Sequence, residues 1–190
     1  MRLGVLVSGR GTNLRNLLDR EFEVVAVATN RAGCAAAELA RQRGIPLGVF
    51  AQKDYESAAS RDAAMARWLS VHAVELVVAA GWDRVLTPGF VRAFPDRILN
   101  VHPSLLPAFA GGMDAVEAAL AHGVKITGCT VHVITDRVDA GPILLQAAVP
   151  VLEDDTPQSL HARIQREEHR ILPEAIRLVQ RNGQARARLG

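Results

Sequence analysis

Four short, continuous apolar runs recur through the first half of the chain, at residues 3–7, 24–28, 76–80 and 98–101, with a weaker one at 46–50. A run that is continuous rather than alternating suits a strand covered on both faces. Between the runs lie alanine-rich helical segments at 13–20, 35–43 and 55–72, the second closed by Gly44. Strand and helix in alternation predict an α/β fold: a Rossmann-like, mostly parallel, twisted sheet flanked by helices, with right-handed crossovers. After Pro103 the rhythm changes. A helix at about 115–122 stops at Gly123, and two longer strand-like runs follow, 126–134 and 143–151, expected to form an antiparallel pair. Within the first of them Thr130-Val131-His132-Val133 alternates and reads as a half-exposed strand. Asp155-Thr156-Pro157 supplies a cap and a first-turn proline for a final helix reaching about residue 180. The basic tail 181–190, with Arg186 and Arg188, is expected to fray and is given no function. No repeat, low-complexity tract or linker divides the 190 residues, so one domain over 1–190 is expected.

Charge and cysteine content narrow the class of function. The formal charge of +2 is too close to balance for a nucleic-acid binder recognised by bulk charge. Of 22 basic residues only Lys53 and Lys125 are lysines, which biases anion contacts towards planar guanidinium geometry. Cys34 and Cys129 form neither a disulfide framework nor a Cys-x-x-Cys pair. The apolar N-terminal run meets Ser8-Gly9 at once, too short for a secretory signal, and no run reaches the ~18 residues of a membrane span. The expected setting is the cytoplasm. Expected partners are small molecules rather than nucleic acid or membrane, with at most a weak homodimer.

Three segments can carry chemistry. Ser8-Gly9-Arg10-Gly11-Thr12-Asn13 follows the first strand and opens the first helix, where backbone amides attract phosphate. It lacks the Walker Gly-Lys-Ser/Thr, and Leu14 replaces the third glycine of a dinucleotide fingerprint, so a mononucleotide-sized phosphate suits it better than NAD. The plainer reading is a tight turn with Thr12 as the helix cap. Asn100 and His102 stand two apart at a strand end and so share a face, with Pro103 directing the chain away. An amide that donates to an oxyanion beside an imidazole that moves protons suits acyl transfer. Asp139 or Asp136 could fix the tautomer of that imidazole, but spacing alone does not bring either to it. No Gly-x-Ser-x-Gly elbow is present, and Cys129 reads as a core residue. His122, His132, His161 and His169 lack ligand spacing, so no metal is expected.

On these residues the chain resembles the phosphoribosylglycinamide formyltransferases, folate-dependent enzymes of purine synthesis. The resemblance runs from Ser8 to Glu168-His169. Beyond the glycine loop it is carried by Ala80-Gly81-Trp82-Asp83-Arg84-Val85-Leu86, Asn100-Val101-His102-Pro103-Ser104-Leu105-Leu106-Pro107, Thr127-Gly128-Cys129-Thr130-Val131-His132 and Val138-Asp139-Ala140-Gly141-Pro142. It implies that Asn100, His102 and Asp139 are the catalytic trio. It further implies that Gly11, Thr12 and Asn13 hold the substrate phosphate and that Glu168 contacts the glycinamide. Asp83, Arg84, Val85 and Leu86 would line the pterin pocket of the co-substrate 10-formyltetrahydrofolate. Thr135, Asp136, Arg137 and Val138 would complete the folate loop with Asn100 and Asp139, and Arg61 would lie near the folate tail. The implied reaction is formyl transfer by direct amine attack through a tetrahedral intermediate, with His102 as general acid and no metal. The sequence departs from the family pattern over 108–115, where a proline at Ala110 and a histidine near Met113 or Asp114 are frequent. The competing readings are a formyltetrahydrofolate deformylase, which hydrolyses the same donor, and a non-catalytic nucleotide-binding module.

Overall fold

A computed structural model describes residues 1–112 and 114–187, with side chains to residue 182. Met113, in the departing stretch, and Arg188 of the tail lie outside these, as does the side chain of Arg186. Seven strands share one sheet in the order β3-β2-β1-β4-β5-β6-β7. The chain divides into two compact units, residues 1–100 with 133–138, and residues 101–132 with 139–190.

The first unit is built on β1 (Leu3–Val7), β2 (Val24–Thr29), β3 (Leu47–Val49), β4 (Leu76–Ala79) and the opening of β5 (Ile98–His102). All pairings among them are parallel. The crossovers carry α1 (Thr12–Asp19), α2 (Ala35–Gln42), α3 (Ala58–Val71) and α4 (Pro88–Ala93). β1 and β4 are buried throughout, as strands between two helical layers must be. One apolar cluster joins Leu6, Ala28, Met65, Leu69, Val77, Trp82, Leu86, Phe90 and Ile98, with Ile134 packed against it. Ser57 opens α3 with a capping box closed by Ser60.

One expectation changes here. Thr12 is not the cap of α1: Gly11 holds that position at φ 73°, and Thr12 is the first helical residue. A side chain at Gly11 would sit 2.6 Å from the Ala36 Cβ, so only glycine lets the loop lie against α2. Thr87 caps α4, with Pro88 at its first position, where proline is favoured.

The second unit holds α5 (Ala115–Ala121), most of β6 (Ile126–Val133), β7 (Ile143–Pro150) and α6 (Pro157–Ala187). β6 and β7 are antiparallel, with Gly128 opposite Ala148 and Thr130 opposite Gln146. β6 is not the half-exposed strand its alternation suggests. It is buried from Thr127 to Val133, and the exposed positions alternate on β7 instead. α6 packs on β7 and α5. Thr156 and Ser159 cap its start reciprocally, while Asp155 takes Ser159 and Arg163. The helix continues through Pro173 to Ala187, so the expected fraying from 181 is not seen as far as it is described.

Candidate active site

His102 ends β5 with its side chain buried. Its Nδ1 lies 3.6 Å from Asp139 Oδ2, and its Nε2 lies 3.1 Å from the Phe109 carbonyl oxygen. A carbonyl only accepts, so Nε2 carries the hydrogen in this arrangement. Nδ1 faces the carboxylate, which orients the ring. Asn100, half-buried, stands two residues earlier on the same strand, where strand periodicity gives both side chains one face.

Asp139 is therefore brought to His102 by the fold, after β6 and within the turn into β7. Its backbone is left-handed at φ 50°, and its carboxylate also accepts from the Gly111 amide at 2.8 Å. A third partner was not foreseen: His132 Nε2 lies 3.5 Å from Asp139 Oδ1, with its ring buried. Period-two spacing from Thr130, in a strand leading to Asp139, was the signal that could have singled His132 out among the scattered histidines.

The hydrogen bond from His132 is the main cause holding the Asp139 carboxyl down at about 2, helped by the Gly111 amide and His102 and opposed by burial. Asp139 is thus ionised in the folded protein, while in the unfolded chain it titrates near its ordinary 3.8. The stability it contributes is full above about pH 4 and is lost as pH falls through the folded value. We expect wild-type stability to fall about 2 kcal/mol more than that of Asp139→Asn between roughly pH 4.5 and 2. Urea titrations at stepped pH measure this, and parallel profiles would contradict it.

Around His102 the chain is clamped. Thr130 Oγ1 donates to the Ser104 carbonyl at 2.7 Å and accepts from the Leu106 amide at 3.0 Å. Gln146 Nε2 donates to the Leu106 carbonyl at 3.0 Å and to Thr130 at 2.9 Å. These bonds fix residues 104–107, including the cis Leu106–Pro107 bond, below the stretch that carries Phe109 and Gly111. Cys129 is buried in β6, and burial with the charges of Glu168 and Glu167 pushes its thiol up to about 12, which removes it as a nucleophile. Glu168 is itself buried on α6.

In the first unit the glycine loop Ser8–Asn13 leaves β1 and enters α1, with Asn13 buried and Gly11 and Thr12 half-buried. The loop after β4 places Trp82 and Leu86 in the core and leaves Val85 67% exposed. Residues 134–138 belong to the same unit: the Ile134 amide donates to the Ile98 carbonyl at 2.8 Å, and Val138 is exposed. Thr135 Oγ1 donates to the Arg137 carbonyl within this turn, and Asp136 and Arg137 are exposed.

Arg61, expected near the folate tail, is held by protein partners. It is 2% exposed, and Nε and Nη2 donate to Asp62 Oδ1 at 2.9 and 2.7 Å while Nη1 donates to Gln52 Oε1 at 2.9 Å. Its guanidinium also lies over the Trp82 ring. The pair acts on the loop, because Asp62 Oδ2 accepts from the Thr87 amide at 2.7 Å.

The sequence pattern of the formyl transferase family matches residues 1–176. A phosphoribosylglycinamide formyltransferase of Mycobacterium tuberculosis is 43% identical over 187 residues, covering 96% of this chain and 86% of its own. The trifunctional purine biosynthetic protein adenosine-3 of Gallus gallus is 42% identical over 94% of this chain, which spans only 18% of that protein. Among solved structures, glycinamide ribonucleotide transformylase 1 of Symbiobacterium toebii superposes with a TM-score of 0.92 at 50% identity, covering 96% of this chain and 88% of that one.

Proposed function

Because the chain belongs to the formyl transferase family, we propose that it moves the formyl group of 10-formyltetrahydrofolate to the amine of 5-phosphoribosylglycinamide, giving phosphoribosyl-N-formylglycinamide and tetrahydrofolate. The observation that carries this reading is the buried His102, paired with Asp139 and standing two residues from Asn100 at the end of β5.

The amine attacks the formyl carbon, and negative charge develops on the formyl oxygen. The Asn100 amide and the Nε2 hydrogen of His102 are the donors for that charge. Phe109 presents a neutral carbonyl to the same hydrogen, and an oxyanion with its greater charge competes for it effectively. The carbon–N10 bond of the folate then breaks, and the proton lost by the attacking amine is delivered to N10 through His102 or a held water. Asp139 keeps the imidazole oriented, and His132 and Gly111 keep Asp139 ionised. No covalent enzyme intermediate is needed, so most of the rate comes from holding two substrates together and from the oxyanion donors.

The phosphate would sit at Gly11, Thr12 and Asn13, where α1 opens without a side-chain cap, and Glu168 would meet the glycinamide. The pterin would lie against Asp83, Arg84, Val85 and Leu86 and the turn Thr135, Asp136, Arg137 and Val138, a fit supported by their exposed valines. We take residues 1–190 to work as a single formyltransferase domain on small molecules in the cytoplasm. The reduced Cys34 and Cys129, and the lack among the described residues of any helix long and apolar enough to cross a membrane, support that setting.

Acceptor dependence tests the reaction. Tetrahydrofolate release should require phosphoribosylglycinamide and match it one for one. Equal release without the acceptor would assign the protein to the deformylases, and no turnover of 10-formyltetrahydrofolate would leave a binding module.

A further inference from the structure

The Asp83 side chain does more than line a pocket. Its Oδ1 accepts from Asn30 Nδ2 at 2.6 Å, its Oδ2 pairs with the Arg31 guanidinium, and Arg84 Nε stands 3.6 Å from Oδ1. Its backbone amide donates to Ser8 Oγ at 3.1 Å, and the Ser8 amide donates to the Gly81 carbonyl at 3.0 Å. Ser8 is the first residue of the glycine loop, Asn30 and Arg31 follow β2, and Asp83 follows β4. The carboxyl ends of three parallel strands therefore converge on one residue. We propose that Asp83 is a positioning residue: its carboxylate, held by Asn30 and Arg31, fixes the backbone amide that binds Ser8, and so sets the join between the Ser8–Asn13 loop and the Trp82–Leu86 loop on which both substrates depend. This rests on the substrate assignments proposed above.

The charge balance supports this role. A bare carboxylate at the ends of these strands would repel a phosphate held at the glycine loop. Two guanidiniums on Asp83 offset its charge, so the residue supplies shape without a negative field. Burial would raise its pKa, yet hydrogen bonds from Asn30 and Ser8 and the charges of Arg31 and Arg84 leave it below the ordinary value, so it stays ionised for these partners. Both oxygens of the carboxylate are engaged by protein donors. The far side of the glycine loop is fixed as well: the Ala36 amide donates to the Gly9 carbonyl at 3.1 Å, and Ala36 closes the space over Gly11. Between these two anchors Gly9 and Arg10 are the exposed stretch whose geometry the Ser8 anchor controls.

The test varies each substrate in turn for wild type, Asp83→Ala, Asp83→Asn and Ser8→Ala, and records amide hydrogen exchange at Gly9 and Gly11 without substrate. Asp83→Ala should raise KM for both phosphoribosylglycinamide and 10-formyltetrahydrofolate by roughly 10-fold, leave kcat within a few-fold, and speed exchange at both glycines. Asparagine, which still accepts from Asn30 but loses the Arg31 ion pair, should recover part of each change. Ser8→Ala removes a single hydrogen bond and should shift both KM values less in the same direction, which keeps the test decisive if Asp83→Ala folds poorly. A rise in the folate KM alone would make Asp83 a ligand contact and overturn the proposal. Unchanged KM values, or unchanged glycine exchange, would overturn it too. A wild type that transfers no formyl group would instead sink the proposed reaction, leaving the exchange arm to judge the tie between the loops.

Discussion

Replacing His102 by alanine should lower kcat by roughly 10³-fold while both KM values stay within a few-fold of wild type. The variant loses the Nε2 hydrogen that meets the oxyanion and the group that carries the proton to the leaving nitrogen. Neither contact is made fully in the ground state, so the loss falls on turnover. The fold should survive the change. Asp139, the charge left behind, still has His132 at 3.5 Å and the Gly111 amide at 2.8 Å, so it is not stranded in the interior. Steady-state kinetics beside a thermal melt separate the two effects. A variant with a wild-type melt and more than a tenth of wild-type kcat would remove His102 from the chemistry.

Gly128→Ala should cost about 3 kcal/mol or more of folding stability and abolish activity with it. A Cβ at this position would lie 1.9 Å from the Ala147 carbonyl oxygen and 2.9 Å from its carbon. Both obstacles are backbone, and they belong to the strand paired with β6. Relief therefore requires the two strands to part, and these strands carry Thr130, His132 and Gln146. Urea unfolding measures the loss, and a midpoint equivalent to within about 0.5 kcal/mol of wild type would contradict it.

The parallel part of the fold is legible in the sequence because burial on both faces leaves an uninterrupted apolar run, as at β1 and β4. The same rule explains the misreading of β6. Thr130 and His132 are polar, and polarity at alternate positions suggests water. In the folded chain Thr130 satisfies its hydroxyl on Ser104 and Leu106, and His132 satisfies its ring on Asp139, so both are buried. The glycine loop and the Asn100–His102 spacing could be recognised because each is a local arrangement. The link from His102 to Asp139 spans 37 positions and is closed by tertiary packing, which no periodicity encodes. The burial of Arg61 is hidden from the sequence for a related reason. An arginine suggests a surface anion site, whereas here the adjacent Asp62 neutralises it within the interior.

That Arg61–Asp62 pair also gives the protein a distinctive response to heat. Taking two ions out of water is costly at room temperature, and the cost shrinks on warming because ion hydration carries a strongly negative entropy. Apolar contacts gain no comparable advantage per unit area. The hold of Asp62 on Thr87, and through it on the turn that ends at Leu86, therefore strengthens relative to the surrounding core as temperature rises. Softening on heating should begin elsewhere in the chain, with this corner among the last parts to give way.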